Sequence, residues 1–493
     1  MKLAMYSRRT STDAAHEVTD IEFDADGTTL RGWLYQPRGR VAAAPAVVMA
    51  HGYNCIKELY LDRYAAAAAD VGHVSFSLTT TAISATVTGS RARSWTRGCK
   101  SATTATRLRS CRPSMASTLS GSVSGGVPRT SLESFPLEFQ QGMAARAKLL
   151  GDTGESSPEK WEKPLGSADV HVVVTALAPN AEHLESALKR ARRAYQQLPG
   201  VTAIWRQDCH VLPDEREAFG FKDGISHPAI EGSGIPGSNP HERALKPGEF
   251  VLGYPDEISE APLMPQPEIL GRNGSYVAFR KLHQRVAAFR QYLKENSSSF
   301  EAEELLAAKM MGRWRSGAPL ALCPLHDNPE VGADPAQNNA FLFKQDDSIG
   351  YKTPCGSHIR RMNPRDADVA GVVRIHRMIR RGTSYGPPLP DGVLEDDGID
   401  RGLMFAFVGA HLGRQFEFVQ SEWMNCGSFF GGNHEKDPIA GANAGDGIFD
   451  IPKRPIRTRM QGLPQFVVTR GGEYCFLPGL KALRYLASLG DTG

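Results

Sequence analysis

The 493 residues are 41% hydrophobic and 23% charged, an ordinary globular composition with chain enough for about three domains, which excludes global disorder and a small stapled peptide. Lys and Arg number 57 against 54 Asp and Glu, and a net charge of +3 is too small to point to nucleic acid or to an anionic membrane. Eight scattered cysteines without a CxxC pair argue against a zinc site or disulfide framework, and no run approaches the roughly 18 apolar residues of a membrane span.

The N-terminus carries Arg8-Arg9, but polar residues follow where an export signal needs an apolar run, so a cytoplasmic protein is expected. DIEFDADGTTLRGWLY alternates around Asp26-Gly27 as a hairpin does, APAVVMAHGYN reads as a buried strand, and LDRYAAAAADVGHVSFSL as an Ala-rich helix followed by a strand. Residues 1–78 therefore look like the opening of an α/β layer. From Thr79 to Thr130 there is no Asp or Glu, and 21 of 52 residues are Ser or Thr. With no apolar period, this segment is expected to be a basic disordered linker or the product of out-of-frame translation. Normal patterning returns at Ser131. SFPLEFQQGMAARAKLLGD reads as a helix, DVHVVVTALAP as a strand, EHLESALKRARRAYQQL as a helix and VTAIWRQDCHVL as a strand. Tyr276–Asn296 and Ala302–Trp314 are expected to be helical, and PQFVVTRGGEYCFLPGLKALRYLASL a hairpin at Gly471-Gly472 running into a last helix. Residues 131–493 form one domain in this reading, of α+β class.

Three short stretches could carry chemistry. In GFKDGISHP, Gly220 to Pro228, glycines bracket Asp223, so that a carboxylate could be held rigidly over a flat ligand; Asp-Gly alone is an ordinary turn. CGSHIRRMNPRD, Cys355 to Asp366, sets His358 among Arg360, Arg361 and Arg365; a neutral imidazole can ligate iron and guanidinium groups can pair with carboxylates, while a basic solvated turn explains the same residues. RIHRMIRRGTSYGP, Arg374 to Pro387, offers Arg380 to stabilise charge on a departing oxygen, or merely a charged face ending at Gly382.

Taken together the three resemble the dye-decolourising haem peroxidases. The family's GxxDG matches Gly220 to Gly224, its proximal histidine stretch matches HIRRMNPR from His358, and its distal arginine, five residues before the Tyr of RRGxxYGP, falls on Arg380. The resemblance covers about residues 131–489. It implies haem b (iron protoporphyrin IX) and two ferredoxin-like halves, the first incomplete, because residues 1–130 supply something other than the opening strand and helix. It further implies His358 as metal ligand, Arg360 and Gly224 as cofactor contacts, and Asp223 and Arg380 as the catalytic pair. Asp223 would move a proton between the oxygens of hydrogen peroxide and Arg380 would stabilise the breaking bond. Glu417 is a candidate partner for the second nitrogen of His358. Hydrogen peroxide and an aromatic reducing substrate, a dye or a phenolic, are the expected partners, with no nucleic acid or membrane and a homo-oligomer left open. A catalytically inactive haem-binding remnant is the alternative.

Residues 18–78 resemble the first strands of an α/β-hydrolase, with His51-Gly52 at its oxyanion loop. The one GxSxG match, Gly382 to Gly386, is followed by Pro387-Pro388, which blocks the helix that a nucleophile elbow requires, so residual esterase activity is the least favoured reading.

Overall fold

The computed structural model describes residues 3–7, 16–25, 28–37, 46–50, 74–78, 100–108, 128–198, 201–212, 215–237, 239–367, 372–429 and 434–489. Its contacts divide the chain into two compact units, Met1–Ser101 with Ala176–Arg190, and Ala102–Thr175 with Ala191–Gly493. In the first unit, β1 (Leu3–Ser7), β2 (His16–Ala25), β3 (Thr28–Pro37), β4 (Ala46–Ala50) and β5 (Val74–Leu78) form one sheet in the order β1-β2-β3-β5-β4. Strands β2 and β3 pair antiparallel from Ala25↔Thr28, as alternation around Asp26-Gly27 predicts, and β4 pairs parallel with β5. The Ala-rich helix and His51-Gly52 lie outside the described residues.

Of Thr79–Thr130, only β6 (Lys100–Leu108) and residues 128–130 are described, and the linker and out-of-frame readings of the remainder lie outside them. The strand itself was not expected; its β-branched Thr103, Thr104 and Thr106 suit a pleated surface even without apolar alternation. It lies between β7 (Val172–Ala178) and β8 (Val201–His210) in a three-stranded sheet. The helix expected across SFPLEFQQGMAARAKLLGD is broken into Leu137–Gln141 and Ala147–Leu150, because Pro136 starts the first piece and Gly142, at φ 76°, ends it.

The second unit is organised by a sheet of β9 (Ser275–Gln284), β10 (Ile379–Arg380), β11 (Thr383–Tyr385), β12 (Gly402–Gly409) and β15 (Val467–Leu477), with a separate hairpin pair β13 (Gly447–Ile451) and β14 (Thr458–Leu463). The order is β10-β12-β9-β15, with β11 also on β12, and every pair is antiparallel. Helices Val286–Glu295 and Phe300–Met311 follow β9, and two π-helical stretches, Leu412–Glu417 and Val419–Met424, follow β12. The result is α+β, with helices set apart from an antiparallel sheet.

Two sequence expectations change here. Residues 276–284 are a strand, not the start of a helix: β9 is the central strand, buried on both faces, and such a strand lacks the one-sided alternation that distinguishes it from a helix. There is also no hairpin at Gly471-Gly472. Strand β15 runs straight through on β9 with one extra residue bulged between Thr469 and Gly471. Glycine is required at 471 because φ is 151° and a Cβ would lie 2.5 Å from that of Leu165. The closing helix Leu480–Ser488 forms as expected. Among the described residues no helix is long and apolar enough to cross a membrane.

Candidate active site

Successive strand residues point to opposite faces, so Arg280, Leu282 and Gln284 of β9 share one face with their cross-strand neighbours Leu403 and Phe405 of β12 and Val467 and Thr469 of β15. That face is one wall of a cavity of about 300 Å³, and Asp223, His358 and Arg380 line the same cavity. The three residues singled out for catalysis and metal ligation, separated by up to 157 positions (380 − 223), are thus brought together.

The Asp223 loop is held by the side chains of Arg315 and Glu217 as well as by its own backbone. Gly220 takes φ 93°, the Arg315 guanidinium donates to the Phe219 carbonyl and lies over the Phe221 ring, and the half-buried Glu217 carboxylate accepts from the N–H groups of Phe219 and Phe221. At the tip, the Asp223 N–H donates to the Glu215 carbonyl at 3.2 Å and Oδ1 accepts from Gly224 N–H at 2.6 Å. Gly224, at φ 78°, therefore serves Asp223; it is not on the cavity wall, which corrects its reading as a cofactor contact. Arg380, paired across β10 with Phe407, donates through Nη2 to the Ile225 carbonyl at 2.8 Å and holds Nη1 3.7 Å from Asp223 Oδ1. Both side chains stay about 40% exposed, at 39% and 41%, so the pair is open to a small ligand and is not locked as an ion pair. His227, a residue of the same loop, is kept neutral: burial first, then the charges of Arg380 and Arg381, push its pKa down to about 4.

His358 opens the short helix His358–Met362. Its Nδ1 lies 2.8 Å from Oδ2 of Asp437, whose other oxygen accepts from the N–H groups of Ile439 (2.9 Å) and Ala440 (2.8 Å). Burial opposes the Asp437 charge, but His358 and these two amides outweigh it and hold the carboxyl below the usual range. A carboxylate acceptor fixes Nδ1 as the donor, so Nε2 is the nitrogen left to ligate a metal. The partner of His358 is therefore Asp437, not Glu417, which is bound by Arg146 and, at 2.6 Å, by the Tyr474 hydroxyl. Asp437 was not legible in the sequence, where EKDPIAGAN has no distinguishing spacing.

Arg360 is likewise displaced from its expected role. It is 2% exposed, donates to the carbonyls of Asp347 (2.9 Å) and Thr353 (2.8 Å), stacks over Phe343 and does not line the cavity. The cavity instead receives Arg313 and Arg365, which share Oδ1 of Asn339 at 2.9 and 2.7 Å and otherwise donate to backbone carbonyls. Among the described residues, no carboxylate lies within ion-pair distance of either. Burial, followed by the charge of Arg380, pushes Arg313 down to about 9, and burial with Arg313 and Arg377 depresses Arg365. Two cations, Arg313 buried and Arg365 half-buried, with no carboxylate in ion-pair contact among the described residues, face a cavity whose other walls carry Leu282, Leu403, Phe405 and His358, and they fit a flat apolar group bearing carboxylates and a metal, as haem b does. Ser384 of the GxSxG match is buried within β11 and leads into a glycine at φ 75° and prolines, not into a helix.

No family model matches the chain. It is 33% identical over 381 residues to Peroxidase 2 of Mycetinis scorodonius, covering 71% of this chain and 72% of that protein. To a dye-decolorizing peroxidase of Exidia glandulosa it is 32% identical over 369 residues, with 70% of each covered. The crystal structure of a fungal DyP-type peroxidase from Auricularia auricula-judae superposes with a TM-score of 0.61 at 28% identity, over 72% of this chain and 80% of that one. With this extent of identity added to the shared cavity of His358, Asp223 and Arg380, the chain belongs to the dye-decolorizing peroxidases, haem-dependent peroxidases that use haem b.

Proposed function

We propose that this protein reduces hydrogen peroxide to two molecules of water with two electrons and two protons taken from dyes or phenolic compounds, which are thereby oxidised. The observation that carries the reading is the convergence of His358, Asp223 and Arg380 on one cavity with the unneutralised pair Arg313 and Arg365. His358 would hold the iron through Nε2, and Arg313 and Arg365 would meet the carboxylates of the cofactor. When bound, haem supplies the redox chemistry that connects peroxide to the donor. Asp223 takes a proton from one peroxide oxygen and delivers it to the other, so that the departing oxygen leaves as water. Arg380 places positive charge where negative charge develops on that oxygen. Asp437 holds the His358 tautomer and increases its basicity.

The full-length chain loaded with haem should show a Soret band and peroxide-dependent bleaching of an anthraquinone dye. A Soret band without turnover would favour the inactive haem-binding remnant, and neither would sink both. Two ferredoxin-like halves, the first incomplete, remain our reading of the fold, and the antiparallel β10-β12-β9-β15 sheet with its helical connections supports one of them. For residues 18–78, an α/β-hydrolase-like fragment is supported by the β2–β3 hairpin leading to the parallel pair β4–β5, and a chromogenic ester tests it.

A further inference from the structure

The strand that delivers Arg380 is preceded by two further arginines at intervals of three. The 3₁₀ turn Val373–His376 brings positions three apart to one side, and Arg374, Arg377 and Arg380 all reach the chain that runs from Asp223 to Ala244. Each donates to its carbonyls: Arg380 to Ile225 at 2.8 Å, Arg377 to Ser226 at 3.1 Å, and Arg374 to Arg243 and Ala244, both at 3.1 Å. Arg377 is braced from two sides. Its Nε and Nη2 donate to the two carboxylate oxygens of Glu242 at 2.7 and 3.0 Å, and its own carbonyl accepts from the buried Gln415 at 3.0 Å. The Arg377 and Glu242 side chains are 8% and 15% exposed, so this two-pronged pair is shielded from the screening that makes surface ion pairs weak.

The residue that Arg377 holds is a strained one. Ser226 has φ 70°, a left-handed conformation that a residue other than glycine keeps only where its surroundings impose it. Downstream the chain is anchored by the Leu245 N–H, which donates to the Ala229 carbonyl at 2.9 Å. A relaxation of φ at Ser226 would therefore re-aim the residues before it, among them Ile225, whose carbonyl Arg380 grips, and Asp223. We propose that Arg377, braced by Glu242, is a positioning residue: it holds Ser226 left-handed and so keeps the Asp223 carboxylate opposite Arg380 in the cavity. The inference rests on the peroxidase reading, in which Asp223 handles the peroxide proton, and it gives Arg377 the aim of that carboxylate and no contact with peroxide.

The test compares the haem-loaded full chain as parent, as Arg377→Lys and as the double variant Arg377→Lys with Ser226→Gly. Lysine keeps the charge but cannot grip a carboxylate with two N–H groups while serving a carbonyl. In Arg377→Lys, kcat/KM for hydrogen peroxide should fall roughly ten-fold while kcat/KM for an anthraquinone dye holds, because Asp223 acts on the peroxide alone. Glycine adopts φ 70° without cost, so adding Ser226→Gly should bring the peroxide value back to within about three-fold of the parent. A merely structural arginine would not be rescued by a glycine 151 positions away. Unchanged peroxide kinetics in Arg377→Lys, or a loss that Ser226→Gly does not recover, would overturn the proposal. Hydrogen exchange on the haem-free full chain reads the same hold without turnover: the Asp223 amide, bonded to the Glu215 carbonyl, should exchange faster in Arg377→Lys than in the parent, and equal exchange would likewise overturn it. A parent that takes up no haem or does not consume peroxide counts against the peroxidase reading alone, and the exchange comparison then decides the positioning role. Should Arg377→Lys not fold, Glu242→Gln with and without Ser226→Gly is judged by the same criteria.

Discussion

Replacing Asp437 with asparagine probes the proximal side of the site with little change of shape. Asp437 is fully buried, and Oδ1 is committed to two backbone N–H groups at 2.9 and 2.8 Å. Those amides keep the carbonyl oxygen of an asparagine where Oδ1 stands, so its NH₂ replaces Oδ2 opposite His358 Nδ1. An NH₂ can only donate. Nδ1 must then accept, the ring proton moves to Nε2, and the nitrogen meant for iron loses its lone pair. Restoring the ligating tautomer leaves two donors opposed and forfeits a charge-assisted hydrogen bond, worth about 1.5–3 kcal/mol, so haem affinity should fall roughly 10- to 100-fold. The assay is a haem titration followed at the Soret band, with a thermal melt of the haem-free chain to separate folding from ligation. Unchanged haem affinity and an unchanged spectrum in Asp437→Asn would refute the assignment of this carboxylate to the His358 tautomer.

Asp223→Asn should retain the Soret band and lose about 10²- to 10⁴-fold in kcat/KM for peroxide, read by stopped-flow, since an amide cannot shuttle the proton; unaltered turnover would remove Asp223 from the mechanism. Glu473 is pushed up to about 7 by burial, so it is neutral in both folded and unfolded chains below its ordinary value of 4.5 and loses stability for the fold as pH rises from 4.5 through 7. Glu473→Gln, which keeps the acceptor for the Met143 and Tyr474 amides, should leave denaturant stability unchanged at pH 4 and raise it by about 3 kcal/mol at pH 8. Asp437 has the opposite sign, with its contribution intact above the ordinary aspartate value of 3.8 and lost as pH falls through its depressed pKa, so haem release should steepen only in acid below that value. Gly471→Ala should destabilise the protein by about 1–3 kcal/mol in chemical melts, because φ of 151° is unfavourable and the new methyl meets Leu165; an unchanged midpoint would place the bulge elsewhere.

The three residues that meet in the cavity were legible because they sit in short peptides whose own sequence shapes the backbone: glycines flank Asp223, and Arg380 stands just before a turn. Their partners were not, because topology makes those pairings. Asp437 meets His358 across 79 residues, through the packing that follows β12. The arginines near His358 carried one usable signal. In a helix starting at His358, residue 360 is turned about 200° away from it, toward the opposite side, which is where the Asp347 and Thr353 carbonyls enclose it. Arg365 lies beyond the end of that helix, at φ 57°, and there the chain turns back to the cavity.

The misread strand bears most on function. Read as a helix, Arg280, Leu282 and Gln284 would be spread around a cylinder; on β9 they form a row on one face, and the row is a wall of the cavity. The alternate residues show how much depends on register. Lys281 is buried on the other face between Glu162 and Asp400, over the Tyr385 ring, and His283 meets the same aspartate at 3.0 Å. A slip of one residue between β9 and its neighbours would turn this ammonium and imidazole into the cavity and put Arg280 and Gln284 outside it. The bulge at Gly471 keeps β15 in step with β9 through Gly472 to Leu477, after Arg470 has been absorbed as the extra residue, so Thr469 reaches Arg280 while Glu473 still receives the Met143 amide. A glycine pair that looks like a turn in the sequence thus sets which side chains face the cofactor cavity.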